Sequence, residues 1–411
     1  MHVIVCGAGI NGVSCALWLA RKGVQVTLVD RAGPASGTSY GNAGILAAGS
    51  VIPVTVPGLL KKAPGMLMDS TSPLFMRWRY LPRLAPFLRK YMAHANIEHV
   101  RRYARAMTSL LSDSVAQHQA LAKGTAAEPF ISFEDYCFAY QTRAAFDADH
   151  WAWSIRQENG LPHEVVSGTE FATQDPLYTD IFDTVVQNKN HGRISDPGEY
   201  IKTLCDEFQS LGGEFKIATI TGLRMQGTKL TALQTSDGDI SGDKFAFTLG
   251  PWAGDISRKL GLNVPFESEG GYHIELINPS DMPNNPVMVA SGKFVVTPMR
   301  GRLRLAGIVD FSGLDGPDNQ SALDLLERNI TELFPSLTYD RIDRWHGFRP
   351  TTANSLPLIG QIKKHPNAFV GFGHQHVGLT GGAKTGRILS AIVTQQPTEI
   401  DTSPFDPNAY A

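Results

Sequence analysis

Cysteine is scarce. Cys6, Cys15, Cys137 and Cys205 are the four in 411 residues, with no CxxC pair among them. That spacing argues against a zinc site or a disulfide framework and fits a reducing compartment. Cys6 and Cys15 sit in apolar runs, where packing is the expected role. No apolar stretch reaches the roughly 18–20 residues of a membrane span. Charge is nearly balanced, with 37 Lys and Arg against 39 Asp and Glu, so no global basic field is available for nucleic acid. Repeats and low-complexity tracts are missing. No signal-peptide pattern precedes the first apolar run. The expectation is a cytoplasmic chain with no integral span, long enough for two interleaved domains.

The first thirty residues carry the strongest pattern. His2–Cys6 is a short apolar strand. Gly7-Ala8-Gly9-Ile10-Asn11-Gly12 follows, then a helical run to Gly23, then the β-branched run Val24–Val29 ending at Asp30. Gly7 permits the tight turn, Gly9 lets backbone approach a pyrophosphate, and Gly12 lets helix and strand pack closely. The helix N-terminus offers free N–H groups and partial positive charge to phosphates. Asp30 can accept hydrogen bonds from ribose hydroxyls. The strand, the helix and the acid in their expected places make this an adenine-dinucleotide site. Which dinucleotide binds stays open at this point.

After Asp30, residues 31–44 are small and aperiodic, as expected of backbone lying close to a ligand. Residues 51–106 differ. Six prolines break them up, and basic residues alternate with Leu, Met and aromatic side chains. This composition suits either a segment lying on an anionic membrane surface or a helical subdomain packed on the body. Residues 107–125 read as helix. Asp196 reads as an N-cap, with Pro197 first in a helix to Leu211. Strands are expected at Phe215–Ile220, Lys229–Thr235 and Lys244–Leu249. Alternation over 267–311 predicts antiparallel strands. A helix is expected at Ser321–Leu333, a strand at Asp343–Pro350, and a last helix from Ala383 to about Gln395, opened by Gly373–Gly382.

Taken together, the pieces resemble the D-amino-acid oxidase superfamily of FAD-dependent amine oxidoreductases, and within it the bacterial D-amino-acid dehydrogenases. The motifs are the opening fingerprint through Asp30, the Thr38–Gly44 loop, Leu249-Gly250-Pro251-Trp252, Gly271-Tyr272, Gly347-Phe348-Arg349-Pro350-Thr351, Gly373-His374 with Gly378, and Pro404-Phe405-Asp406-Pro407. The resemblance implies an α/β fold: a Rossmann-like FAD domain with a parallel sheet (1–50, 190–265 and 345–411) and an antiparallel-sheet substrate or cap domain (51–189 and 266–344) that includes the basic-apolar segment 53–105.

It also implies FAD, favoured over NAD by the C-terminal glycine motif. No cysteine follows Cys205 and no histidine lies in 36–44, so non-covalent attachment is expected. The implied cofactor positions are Gly7, Ala8, Gly9, Ile10, Asn11, Gly12, Asp30 and Arg31, then Thr38, Ser39, Asn42, Ala43 and Gly44. Ile220 would supply a backbone contact to adenine, and Leu249, Gly250 and Trp252 would lie nearby. Gly373, His374, Val377, Gly378, Leu379 and Thr380 would bring the last helix N-terminus to the flavin.

Arg349 is the expected carboxylate anchor, because a planar guanidinium grips a carboxylate bidentately. Tyr272 would cap the pocket or share that carboxylate. His374, His376 and His273 are weighed as proton acceptors, with His374 more suited to the cofactor motif. Many of these dehydrogenases carry a Tyr-Lys pair where this chain reads Gly292-Lys293-Phe294, so substrate size does not carry over. The implied reaction is oxidation of a D-amino acid or related amine acid to a 2-oxo acid. Its electrons would pass to a quinone or respiratory acceptor, with membrane contact through 53–105. A soluble glycine/sarcosine-type or D-amino-acid oxidase using oxygen, a D-proline or hydroxyproline dehydrogenase, and a protein with a purely structural flavin are the alternatives.

Overall fold

The computed structural model describes residues 1–59, 61, 65, 69, 72–314 and 316–411. Strand β1 (His2–Cys6) leads into helix α1 (Ile10–Arg21) and strand β2 (Gln25–Asp30). β1 and β2 pair in parallel at the centre of a six-stranded sheet. Glu214–Ile217 flanks β2, while Lys244–Phe247, His365–Phe372 and the antiparallel Leu358–Ile362 continue beyond β1. β1 is buried nearly throughout, as a strand covered on both faces must be. Against α1 lies the last helix, Gly378–Val393. Glycine makes that approach close. A Cβ on Gly386 would stand 2.3 Å from Ser14, and one on Gly382 2.6 Å from Ile10. The two ends of the chain therefore form one layered unit.

A second, mostly antiparallel sheet has ten strands among the described residues. Its long central pair is Phe266–Ile277 with Arg341–Thr352, in register from Phe266 opposite Thr352 to Ile277 opposite Arg341. Gln320–Leu333 packs its apolar stripe on this sheet. A three-stranded meander, Ile220–Ser241, lies beside the parallel sheet.

The expected α/β fold, with a parallel sheet and an antiparallel one, is what the chain forms. Several element boundaries moved, three of them substantially. The strand expected at Phe215–Ile220 divides at Ala218-Thr219, where the Ala218 N–H turns to the Asp30 carbonyl at 2.8 Å. The helical stretch 107–125 is two helices, Ile97–Leu111 and Ser114–Ala122. The last helix begins at Gly378, five residues before Ala383, because its glycines are packed against neighbours rather than left as loop.

Part of the 53–105 segment (Leu60, Lys62–Pro64, Met66–Met68, Ser70 and Thr71) lies outside the described residues. In the rest, Leu81–Ala93 is a helix whose Leu84, Phe87 and Tyr91 are buried against Phe311 and Ala353. The apolar side of this helix is thus occupied by packing, although Trp78 stays two-thirds exposed. Among the described residues no helix is long and apolar enough to cross a membrane.

Candidate active site

A cleft of about 1150 Å³ runs from the β1–α1 turn to the start of the last helix. Its walls include Gly7, Gly9, Ile10, Asn11, Asp30, Arg31, Thr38, Ser39 and Asn42 from the first part of the chain. Ile220, Leu249, Gly250 and Trp252 come from the middle, and His374, Gly378 and Leu379 from the end. Gly7 has φ +100°, and a Cβ there would meet the Thr248 carbonyl oxygen at 2.7 Å. On Gly12 a Cβ would lie 1.7 Å from the Gly7 oxygen. Gly12 thus packs helix onto strand, behind the wall. α1 has no side-chain cap, so its first turn is left for an anion.

Asp30 holds the turn together. Its carboxylate accepts the N–H groups of Ala8 (2.8 Å), Ala32 (2.9 Å) and Gly33 (3.1 Å). Arg31 lies 3.7 Å over the Trp252 ring, a cation–π contact that closes one side. Asn42 accepts the Gly44 N–H at 2.9 Å. Thr380 donates to the Ile45 carbonyl and accepts the Ala47 N–H, tying the last helix to that loop. Ala8, Gly12, Ala43, Gly44, Gly373, Val377 and Thr380 therefore support the cleft from behind.

Does FAD fit these residues? Asn11 Oδ1 is buried at the wall without a partner, while its amide donates to the Gly371 carbonyl and to His374 Nδ1. The helix Gly378–Val393 also lacks a side-chain cap. Two uncapped helix starts, a cradle with no room for side chains and an unpartnered polar atom along one cleft suit a long anionic dinucleotide. When bound, FAD supplies a two-electron acceptor; Gly7–Gly12 with Asp30 would hold its adenosine half and Asn42, His374 and Gly378–Thr380 its ring half.

Beside the cleft stands the antiparallel pair: Phe266, Glu267, Ser268 and Pro350 line it, while Arg349 and Tyr272 are not among the lining residues. Strand alternation puts Glu269, Gly271, His273 and Glu275 on one face with Trp345, Gly347 and Arg349, and Tyr272 on the other with His346 and Phe348. Arg349 Nη1 donates to Glu269 at 3.0 Å and to the Ile308 carbonyl at 2.7 Å. Gly271 leaves room for this guanidinium, because a Cβ there would meet its Cζ at 2.7 Å. Burial raises the Glu269 carboxyl against the opposing charge of Arg349.

Tyr272 points away from Arg349. Its hydroxyl donates to Asp310 at 3.1 Å, accepts the Asn319 N–H at 3.0 Å, and its ring stacks on His346. The pocket-capping place expected for Tyr272 is therefore on the wrong face of the strand. His374 has both ring nitrogens engaged, with Asn11 at 3.1 Å and Thr385 at 2.9 Å, and burial pulls its pKa down to about 3. It orders the cofactor turn and has no lone pair free for a substrate proton. His273 bonds the Gly41 carbonyl and stacks on Trp345. His376 is exposed and does not line the cleft.

Sequence reasoning did not single out the charged cluster below this wall. Arg304 is fully buried and pairs with Glu275 at 2.7 Å; Glu275 also holds Arg302, which reaches Asp196 at 2.9 Å. Arg304 donates to the carbonyls of Tyr40 and Asn42 as well, so it fixes the loop that lines the cleft. The available signal was charge at period two within apolar strands: Glu267 and Glu269, His273 and Glu275, and Arg302 and Arg304, with Glu275 opposite Arg304.

A dinucleotide fold whose cleft ends beside a charged antiparallel wall defines a flavoprotein oxidoreductase. The chain belongs to the DAO family of FAD-dependent oxidoreductases, whose model matches residues 2–392, and its cofactor is FAD. It is 34% identical to a D-amino-acid oxidase of Bradyrhizobium diazoefficiens over 100% of this chain and 99% of that one. A D-amino acid dehydrogenase of Allorhizobium ampelinum is 28% identical, again over 100% and 99%. In fold it is similar to glycine oxidase from Geobacillus kaustophilus, with a TM-score of 0.76 at 18% identity over 98% and 97% of the two chains.

Proposed function

We propose that this enzyme oxidises the Cα–N bond of a small amino acid, in its D form, to an imine that water hydrolyses to a 2-oxo acid and ammonia. One observation carries the reading: Arg349 is held on the strand face beside the Gln375–Val377 turn that opens the last helix. The full-length similarity to a D-amino-acid oxidase supports it.

The residues have separate tasks. Arg349 fixes the substrate carboxylate through the edge not used by Glu269 and Ile308. Glu269 holds that guanidinium in place. The uncapped start of Gly378–Val393 offers partial positive charge to negative charge building up on the cofactor ring. Histidines 273 and 374 stay neutral and structural. Attachment of FAD is read as non-covalent, since all four cysteines are buried and free.

For the acceptor, a quinone or respiratory partner reached through 53–105 stands beside oxygen. The packed apolar side of Leu81–Ala93 favours oxygen, because little of its apolar surface is left for a membrane. The test is to add D- and L-amino acids, glycine and D-proline anaerobically to the yellow protein. Bleaching by D-amino acids is expected. No bleaching by any amine acid sinks the reading. Peroxide formed in air at the rate of substrate loss would then decide for oxygen.

A further inference from the structure

The helix Leu81–Ala93 turns a cationic face into the cleft. Arg83, Pro86, Phe87 and Lys90 all line it, at the i, i+3, i+4, i+7 spacing of one helical face, and Arg77 and Tyr80 line it from the preceding turn. Both ends of the helix are placed relative to Arg349. At the first, the Tyr80 hydroxyl donates to Glu267 at 3.0 Å, two residues from the Glu269 that holds Arg349. At the other, Tyr91 lies near Gln375 and Ser355 and feels the charge of Glu269. The helix therefore covers the cleft beside the strand whose Glu269 holds Arg349.

Among the described residues little offsets these cations. Three acids among them stand on the cleft wall: Asp30, Asp255 and Glu267. Asp30 is engaged by three backbone amides, and Asp255 pairs with Arg258. Glu267 accepts the Tyr80 hydroxyl and the Ser268 N–H, and feels the charge of Arg83 without forming an ion pair with it. Among the described residues no carboxylate forms an ion pair with Arg83 or Lys90; Arg83 only stands over the Tyr80 ring at 5.9 Å. Unpaired cations on the wall of a cleft concentrate a field that favours an anionic ligand. The α-carboxylate of any amino acid is already assigned to Arg349, so this face is left for a second anion.

We propose that Arg83 and Lys90 select amino acids bearing a second carboxylate, so that acidic substrates such as D-aspartate or D-glutamate are preferred. The proposal rests on the amino-acid reading above. The competing source of negative charge is the pyrophosphate of FAD, assigned to the far end at Gly7–Gly12.

Isosteric pairs test it: D-aspartate against D-asparagine and D-glutamate against D-glutamine, by anaerobic flavin bleaching of the full-length holoprotein. Wild type is expected to favour the acid by about tenfold or more in kcat/KM, and the advantage to shrink at high salt. The R83Q/K90Q double variant is expected to lose that ratio through KM, with flavin content unchanged. Equal or better turnover of the amides by wild type, or an unaltered ratio in the variant, overturns the proposal. Loss of flavin from the variant also overturns it, by assigning the cations to the cofactor. If neutral D-amino acids bleach the flavin and acidic ones do not, this inference alone fails; if none bleaches it, the amino-acid reading fails with it.

Discussion

The two sides of the cleft are built by different physics. The dinucleotide wall is made of backbone and small residues: Gly7, Gly9 and Gly12 sit where a side chain has no room or would crowd its neighbours, and Asp30 gathers three amides close in sequence. The flank proposed for the substrate is made of long side chains joined across distant strands: Glu269 to Arg349, and Glu275 to Arg302 and Arg304. A wall of the first kind is rigid because nothing fits. One of the second kind holds only while its charges stay paired, since a buried ion that loses its partner is costly.

The largest effect is expected on the first wall. Gly12→Val places carbon against the Gly7 oxygen, so the protein should be recovered without flavin or not at all, read from the flavin-to-protein absorbance ratio. A variant that keeps its flavin breaks the contrast. Glu275→Gln leaves Arg304 buried without its anion and should cost about 3–5 kcal/mol in denaturant unfolding; a loss below 1 kcal/mol would mean the Tyr40 and Asn42 carbonyls suffice.

Arg349→Ala should retain flavin and lose about 2–3 kcal/mol of substrate binding, roughly 100-fold in kcat/KM and mostly in KM. Unchanged kinetics would remove Arg349 from the site. Glu269→Gln sharpens the pH behaviour. Burial raises the folded carboxyl above its ordinary value of 4.5, so its contribution is fully present below that value and is lost as pH rises through the folded pKa. Wild type should therefore lose stability relative to E269Q as pH rises above about 4.5; a parallel pair of stability curves sinks this. The smallest effect is Tyr272→Phe, about 1 kcal/mol of stability from the Asp310 bond with KM unchanged. A raised KM would return Tyr272 to the substrate.

How much was legible follows from range along the chain. The β1–α1–β2 unit, the Asp196 cap and the strand Lys229–Thr235 were readable because each depends on neighbours within a few residues. Arg349 was named through its motif. The face of Tyr272 was not legible, because a motif names residues without saying which way a strand turns them. Arg83 and Lys90 were visible only as part of a basic-apolar tract that suited two surroundings.

By itself the sequence determined the dinucleotide unit, the α/β class and the two glycine motifs at either end, since turn geometry and hydrophobic period are local properties. Only the tertiary structure decided which charges meet. The register of Phe266–Ile277 on Arg341–Thr352 sets Glu269 opposite Arg349 and turns Tyr272 to the core. The packing of Leu84, Phe87 and Tyr91 leaves Arg83 and Lys90 facing the cleft. Electrostatic partnership depends on distance in space, and that distance is set by sheet pairing between residues about 80 positions apart.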